Sequence, residues 1–289
     1  MKIFFLITAI WSDFYNSVIA SQREDVGYYF LKLPANATQR ALSMCYSTEI
    51  KGAKAIFCNP ANVSTISNLS FSYNKHFLDT YSFSWAIVSK ASGVNVGFGL
   101  FSVSSGEIPL REKPSDKPLT TYNIEDWAMI FNISKTFKTL SFGLNCKLVQ
   151  QNLFWQKQGF YAFDLGIFYL LPEVKNFEIG FCVQNLVFYR IYPTAPVTVN
   201  LGFSYSYKTL KFICDFRKEV DEFLQICTAL VFKPLNIFQI EISKRFFHDT
   251  ENFSAGFEVF YSHFAISYAL CHYRYGLAFS HILTIEAKF

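Results

Sequence analysis

The hydrophobic residues of this chain recur at every second position from residue 69 to the C-terminus. In the stretch VTVNLGFSYSYK, for example, Val199, Leu201 and Phe203 share one face, whereas the residues between them are small or polar. A period of two belongs to a β-strand whose two faces meet different environments. The pattern therefore predicts a protein built of strands, each with one hydrophobic face and one small or polar face.

Segments of this kind number about fourteen, and each is about ten residues long. A tilted strand of that length crosses a bilayer, and an even number of strands suits a closed up-and-down barrel. We therefore predict an all-β fold: a transmembrane antiparallel up-and-down β-barrel of about fourteen strands with a short N-terminal hatch segment. The segments lie near 69–77, 80–90, 93–104, 123–134, 139–150, 161–171, 176–186, 197–208, 210–219, 223–233, 236–244, 252–261, 263–272 and 275–289.

The aromatic content decides between a membrane barrel and a soluble one. Among 289 residues there are 34 Phe and 17 Tyr, while charged residues make up only 17% of the chain. Lipocalin-like barrels and sandwiches also alternate, but there the aromatic face would point inward, and about fourteen such strands would overfill the interior. In a membrane barrel the rings meet lipid and the small polar residues line the lumen. The composition favours the membrane barrel, surrounded by outer-membrane lipid.

The connections between the segments predict the orientation of the barrel. Outer-membrane barrels keep short turns on the periplasmic side and longer loops outside. If the last strand ends in the periplasm, the longer connections are external, and they cover 105–122, 151–160, 187–196 and 245–251. The connections on the other side are short, and they cover 135–138, 209–210, 233–236 and 262–263.

The two ends of the chain carry signals of export and assembly. Lys2 precedes an apolar run, and Val18-Ile19-Ala20 fits a cleavage site, so residues 1–20 are predicted to be a signal peptide cut near Ala20, with a buried helix or strand as the alternative. Residues 21–68 are then the hatch and 69–289 the barrel. The alternating last strand ends on Phe289, which resembles the signature that the barrel-assembly machinery recognises in bacterial outer-membrane proteins.

The polar face supplies the candidate lumen residues. Charges on that face are tolerated when hydrated and costly in lipid, so they are predicted to line the lumen, where they serve as a ring for polar solutes, as ion pairs that anchor the hatch, or as simple solvation. The candidates are Asp126, Asn145, Lys147, Asp164, Glu178, Asn200, Glu258 and Glu286.

Catalytic, metal-binding and nucleic-acid-binding roles find no support in the motifs. The chain has no G-x-S-x-G, H-E-x-x-H, P-loop or dinucleotide fingerprint. Its seven cysteines lack C-x-x-C spacing. A net charge of +4 is too small to predict a nucleic-acid surface. We expect a protein that is not an enzyme, that carries no cofactor or metal, and that does not bind nucleic acid.

Short motifs in the N-terminal half resemble a known family, and the resemblance extends over about 28–289. The stretches YYFLKLPANATQRALSMCYS, FCNPANVS, SGEIPLRE and IEDWAMIFNIS resemble the PorV/PorQ family of outer-membrane proteins. The matching hatch residues are Leu33 and Pro34 and the triplet Asn59, Pro60 and Ala61. The resemblance implies a FadL-type barrel of fourteen strands with an N-terminal hatch. Where the family commonly has glycines, this chain has Asn36, Ser43 and Met44, so its hatch turn is expected to differ.

The resemblance implies two functions in the outer membrane. In the first, the barrel is a transport or secretion-associated component of a type IX-like pathway, whose external loops receive cargo or secretion-system subunits. In the second, it is a FadL-like channel for the uptake of hydrophobic small molecules. The second requires apolar residues on the inner face beside the hatch, and the candidates Ile130, Phe168 and Phe260 are too few to decide.

Overall fold

The computed structural model describes residues 26–63, 67–76, 79–111, 117–153, 156–276 and 279–289. The predicted signal peptide, residues 1–20, lies outside the described residues. Fourteen antiparallel strands close into one barrel, and a further two strands form a small separate sheet. The predicted fold class, a closed fourteen-stranded barrel, is confirmed.

The strands follow one another in the order of the chain. They are β1 (Asn68–Lys75), β2 (Tyr81–Ala91), β3 (Val94–Ser104), β4 (Ile108–Leu110), β5 (Thr120–Tyr122), β6 (Glu125–Phe137), β7 (Leu140–Leu153), β8 (Gln156–Leu170), β9 (Phe177–Leu186), β10 (Thr198–Tyr207), β11 (Leu210–Glu219), β12 (Gln225–Leu235), β13 (Phe238–Phe246), β14 (Glu251–Tyr261), β15 (Phe264–Tyr273) and β16 (Ser280–Lys288). Strands β4 and β5 pair only with each other, in the connection between β3 and β6.

The barrel closes between its first and last strands. Asn68 of β1 lies opposite Lys288 of β16, and Lys75 lies opposite His281 at the other end of the pair. Every barrel strand therefore has two hydrogen-bonded neighbours, so the barrel has no free sheet edge. In a bilayer this closure is required, because lipid offers no partner for an unpaired backbone group.

The two faces of the wall differ as the alternation predicts. Phe83 and Phe142 point outward with 42% and 44% of their surface exposed, whereas Asn200 points inward and is fully buried. A continuous exposed apolar surface of this kind is unusual for a protein in water and matches the hydrocarbon core of a membrane. The rings on the outer face also contact one another across neighbouring strands, as Phe98 does with Phe131 at a centroid distance of 5.1 Å.

Residues 26–63, which we name the inner segment, lie inside the barrel. They form the helix α1 (Ala37–Ala41) and three short 3₁₀ turns at Tyr29–Lys32, Gly52–Phe57 and Pro60–Asn62. The side chain of Asn36 caps α1 by accepting from the backbone N–H of Gln39 at 2.9 Å. Most of the segment is buried, which explains why its sequence lacks a strand-like alternation. The predicted division of the chain at residue 68 stays a prediction.

Glycines let the wall approach the inner segment. Gly143 of β7 and Gly166 of β8 lie opposite each other. A Cβ atom added at Gly143 would lie 2.1 Å from the carbonyl carbon of Pro60, and one at Gly166 would lie 2.2 Å from the side-chain oxygen of Asn59. The turn Pro60–Asn62 therefore rests directly on wall backbone.

Several predicted connections differ from the structure. The turn predicted at 135–138 begins later, because β6 runs to Phe137. The external loop predicted at 151–160 is wrong, because β7 continues to Leu153 and β8 starts at Gln156. The residues of this segment are polar, which is typical of a loop. Strand pairing nevertheless continues beyond the membrane-facing apolar belt, where both faces of a strand can be polar. Asn152, for example, pairs with Lys157. The connection at 105–122 contains the unpredicted hairpin of β4 and β5. The turn predicted at 233–236 begins later, because β12 runs to Leu235 through a bulge.

The close approach at Gly143 predicts that a larger side chain at this position destabilises the barrel. Gly143→Ala is expected to destabilise the barrel by about 2 kcal/mol, because neither the strand nor the turn at Pro60 can yield easily. Urea unfolding in lipid vesicles measures the change, with Leu144→Ala on the lipid face as the control for an altered neighbour. Equal stability of Gly143→Ala and the unaltered protein would show that the turn does not press on the wall.

Candidate functional site

The structure places all eight predicted lumen residues inside the barrel. Asn145, Asp164 and Asn200 are fully buried, and none of the eight is more than 9% exposed. They do not form one ring. They divide instead among three polar clusters that hold the inner segment, apart from Asp126. Asp126 lies near the rim that the connections predict to be external, and we name the two ends of the barrel external and periplasmic after that prediction. Its carboxylate accepts from Gln151 at 3.1 Å and from the backbone N–H of Asn152 at 3.2 Å.

The first polar cluster joins the turn at Gly52–Phe57 to β7, β8 and β9. The Oδ2 atom of Asp164 lies 2.9 Å from the Lys147 ammonium and accepts from the Asn145 side chain at 2.8 Å. Asn145 also donates to the carbonyl of Ile56 at 2.8 Å. Asp164 also accepts from the backbone N–H of Asn185 at 2.8 Å, at a bulge in β9. The carboxylate thus satisfies a backbone group that the bulge leaves without a strand partner.

The second polar cluster lies at the periplasmic end. Lys54 contacts Glu258 at 3.1 Å and Glu286 at 3.4 Å, and it donates to the Thr38 hydroxyl at 2.8 Å. A hollow of about 210 Å³ opens beside these groups. Near it, Lys211 bridges Glu178 at 2.6 Å and Glu49 at 2.5 Å, and so connects the wall to the inner segment.

The third polar cluster, which we name the charge network, consists of Lys32, Arg40, Arg217, Glu219, Arg245 and Glu251. Glu219 accepts from Arg217 at 2.7 Å and from Arg245 at 2.9 Å. Arg217 also donates to the Tyr46 hydroxyl at 2.8 Å and to Asn200 at 3.3 Å. Sequence reasoning missed Glu219, Arg245 and Glu251 as members, although their inward phase in β11, β13 and β14 is a usable signal.

The charge network fastens the inner segment near the external side. Lys32 lies 3.0 Å from Glu219 and 2.6 Å from Asp221, and Arg40 lies 2.7 Å from Glu251. Burial by itself lowers the pKa of Lys32, but the carboxylates of Glu219 and Asp221 outweigh it and raise that pKa above the ordinary value. The lysine is therefore held as a cation, and it binds the segment to the wall.

The opposite side of the interior is apolar. Across β3, β6, β7 and β8, in the half of the barrel nearer the external loops, the inward residues form a surface that we name the apolar wall. It consists of Phe101, Val103, Ala128, Ile130, Val149, Phe160 and Ala162. Against it lie three rings of the inner segment. Tyr28 meets Phe160 at 4.6 Å between centroids, and both Phe30 and Phe57 meet Phe101 at 6.3 Å.

The expectation that small and polar groups line the whole lumen is therefore wrong for the apolar wall. Of the three apolar candidates, Ile130 belongs to it. Phe168 is buried elsewhere, with the Lys51 ammonium 5.3 Å from its ring, and Phe260 is half-buried with Lys233 at 4.6 Å. The wall was detectable in the sequence as paired inward apolar positions, 101 with 103, 128 with 130 and 160 with 162.

The predicted hatch motif lies on both sides of the interior. Leu33 packs at the edge of the apolar cluster and Pro34 is buried beside it. The Asn59 side chain donates to the carbonyl of Ser47 at 2.9 Å and to that of Ile167 in β8 at 3.2 Å. It also accepts from the backbone of Ala61 at 3.1 Å, which closes the turn. The motif therefore pins the inner segment to the wall.

The described residues contain neither a metal site nor a membrane-spanning helix. No group of three or more His, Cys, Asp or Glu residues in this part of the chain is arranged to hold a metal ion. Among the same residues, no helix is long and apolar enough to cross a membrane.

Solved structures with the same fold include a channel protein. The crystal structure of the toluene transporter TodX of Pseudomonas putida superimposes with a TM-score of 0.62 at 12% identity, covering 89% of this chain and 98% of TodX. A deltaS2 mutant of the TodX monoaromatic hydrocarbon channel gives a TM-score of 0.57 at 10% identity, over 82% of this chain and 94% of that one. No protein-family model and no curated protein sequence matches the chain. The likeness shows the fold, that of an outer-membrane β-barrel.

The charge network predicts a large cost for removing its central carboxylate. Glu219→Gln is expected to lower the free energy of unfolding by about 3 kcal/mol, because Arg217, Arg245 and Lys32 then remain buried with one partner fewer. Urea unfolding in lipid vesicles measures the effect. Glu107→Gln, in an exposed external connection, is the control. A loss no greater than that of the control would contradict the anchoring role.

His248, in the loop between β13 and β14, predicts that the stability of the barrel depends on pH. Burial, together with the nearby positive charge of Arg245, lowers the pKa of His248 to about 4. The ring nitrogen Nδ1 accepts from the backbone N–H groups of Thr250 at 3.3 Å and Glu251 at 3.0 Å. The unfolded chain takes up this proton near pH 6.5 and the folded chain only near pH 4, so the stability that His248 contributes falls as the pH drops through that window.

The measurement compares the loss of stability between pH 7 and pH 5. His248→Asn is expected to lose less than the unaltered protein, because an amide oxygen accepts the same backbone bonds and does not titrate. His263→Asn, at an exposed periplasmic turn, is the control. If all three proteins lose equal stability, His248 does not carry the effect.

Proposed function

We propose that the protein is a non-enzymatic outer-membrane channel for hydrophobic small molecules. The observation that carries the proposal is the apolar wall. A buried apolar surface beside the external loops suits the binding of apolar solutes, whereas a path for polar solutes does not require one. The name of TodX, a toluene transporter that shares the fold, supports the same class of solute.

The entry route follows from how the inner segment is held. Its polar side is bound to the wall by ion pairs and hydrogen bonds, whereas Tyr28 and Phe30 meet the apolar wall through ring contacts. Apart from the 3.4 Å bond from the Tyr28 hydroxyl to Gln158, an apolar solute can replace these contacts without leaving a hydrogen bond unmade, but it cannot replace a buried ion pair. We therefore place the path of the solute between these rings and the apolar wall.

The exit route is proposed to be lateral, toward the membrane. On the outer face, an apolar hollow of about 520 Å³ lies over Gly143 and Gly166 and is lined by Ile133, Phe142, Leu144, Leu165 and Ile167, among others. Behind these glycines lies the turn Pro60–Asn62, so no wall side chain separates the hollow from the inner segment. A shift of that turn would thin the barrier between the interior and the bilayer.

The secretion-associated function has weaker support. The PorV/PorQ resemblance rests on short motifs, and no family model matches the chain. A docking platform for cargo needs extended external loops, but β7 and β8 stay paired as far as Leu153 and Gln156. No contact in the structure favours this function over the channel.

The proposed location is the outer membrane, reached after removal of the signal peptide near Ala20. Assembly through the last strand is part of the proposal. Phe289 is 67% exposed, and its backbone N–H donates to the carbonyl of Ser67 at 3.0 Å. Its ring is therefore available for recognition before the barrel closes.

The channel is tested by uptake of radiolabelled toluene into proteoliposomes. Phe101→Asn is expected to reduce the uptake at low toluene concentration by about thirty-fold, since a buried ring contributes about 2 kcal/mol to apolar contact. Ser141→Asn is the matched control, because it introduces the same side chain at an inward position outside the apolar wall. Uptake of glucose, measured in parallel, reports general leakage.

Two outcomes contradict the proposal. Toluene uptake no faster than in protein-free liposomes would remove the channel function. Uptake that is equal in Phe101→Asn and Ser141→Asn would show that the apolar wall does not lie on the path.

A further inference from the structure

The outward faces of the barrel strands carry few charges, and their distribution is uneven. On the described strands these charges belong to Lys75, Glu125, Lys135, Lys157, Lys218 and Lys244. Lys135 lies near the periplasmic end of β6, whereas the other four lysines lie toward the external ends of their strands. The external rim of the lipid-facing surface is thus mainly basic.

One of these lysines belongs to a cluster of polar and aromatic groups. Lys75 on β1 lies directly opposite His281 on β16, and both are exposed on the outer face. The hydroxyl of Tyr268, on β15, lies 2.6 Å from the Nδ1 atom of His281. The Lys75 ammonium lies 5.9 Å from the centre of the Tyr81 ring. A cation, an imidazole and a phenol therefore lie on the outer face of three adjacent strands.

The same surface continues across β15 and β14. The ring of Phe279 lies 6.5 Å from that of His281 and 5.2 Å from that of His272. His272 in turn stacks on Phe253 at 5.2 Å, and its Nδ1 lies 3.2 Å from the amide nitrogen of Asn252. We name Lys75, Tyr81, Tyr268, His272, Phe279 and His281 the outer patch.

The chemistry of the outer patch differs from that of the rest of the lipid-facing wall. A lysine on the lipid face is costly at the bilayer centre and tolerated at the interface, where aromatic rings also concentrate. When the Tyr268 hydroxyl donates to Nδ1, the hydrogen of the His281 ring is on Nε2, which leaves that atom as a donor. An ammonium and a ring N–H at paired positions of β1 and β16 are a donor set suited to a phosphate oxygen.

We propose that the outer patch binds the phosphate headgroup of an anionic lipid in the external leaflet. The charge on the rim favours an anion over a zwitterionic lipid. A second copy of the barrel fits less well, because facing copies of the patch would bring lysines together. The site lies on the outer wall, so it does not rest on the proposed channel.

The test titrates the full barrel in mild detergent with phosphatidic acid and counts bound lipid by native mass spectrometry. Diacylglycerol, which has the same chains without phosphate, and inorganic phosphate are measured in parallel. Lys75→Gln is expected to weaken phosphatidic acid binding about five-fold, and Lys75→Gln with His281→Gln further. Lys135→Gln is the matched control, because Lys135 also faces outward beside a ring, that of Phe137 at 5.0 Å, but at the periplasmic end.

Several results would overturn the proposal. Equal binding of diacylglycerol and phosphatidic acid would show that the acyl chains alone are recognised. Displacement of phosphatidic acid by an equal concentration of inorganic phosphate would assign the site to free phosphate. Equal weakening by Lys135→Gln would show a diffuse charge effect, and a dimer lost in Lys75→Gln would assign the patch to a second copy.

Discussion

The contact between the outward rings and hydrocarbon is the interaction on which the rest of this structure depends. It explains why the strands alternate, why the barrel must close between β1 and β16, and why charged residues are almost confined to the interior or the rims. In water, the same surface would drive association of the chains. In lipid it stabilises the barrel and leaves the interior to be organised by other forces.

The interior is organised by two unlike sides. On one side, ion pairs such as that between Arg40 and Glu251 bind the inner segment to the wall, and breaking them would leave buried charges. On the other side, Tyr28 and Phe30 meet the apolar wall through ring contacts, and the hydrogen bond from the Tyr28 hydroxyl to Gln158 is long, at 3.4 Å. The inner segment is therefore bound by ion pairs along one edge and by ring contacts along the other. This difference is the physical basis of the proposed path of the solute between the segment and the apolar wall.

Much of the fold could be predicted from the sequence, because period-two alternation translates directly into the two faces of a strand. The ends of the strands were harder to predict from the sequence. Residues 151–153 and 156–160 look like a loop because strands that leave the apolar belt lose their alternation while keeping their hydrogen bonds. The apolar wall was missed for a related reason. A single inward phenylalanine such as Phe101 only interrupts the polar pattern of its own strand. The shared apolar surface becomes visible when the register of the neighbouring strands is known. The partners of Glu219 depend on distant chain positions, and a single sequence does not show them.

The most direct measurement of the central claim uses a variant in which Trp85 is the sole tryptophan. Trp85 faces outward on β2 and contacts Phe98 at 5.6 Å. In vesicles of lipids with brominated acyl chains, its fluorescence is expected to be strongly quenched, while iodide in the water has little effect. Quenching by iodide without quenching by the brominated chains would contradict the account, because the aromatic face would then meet water.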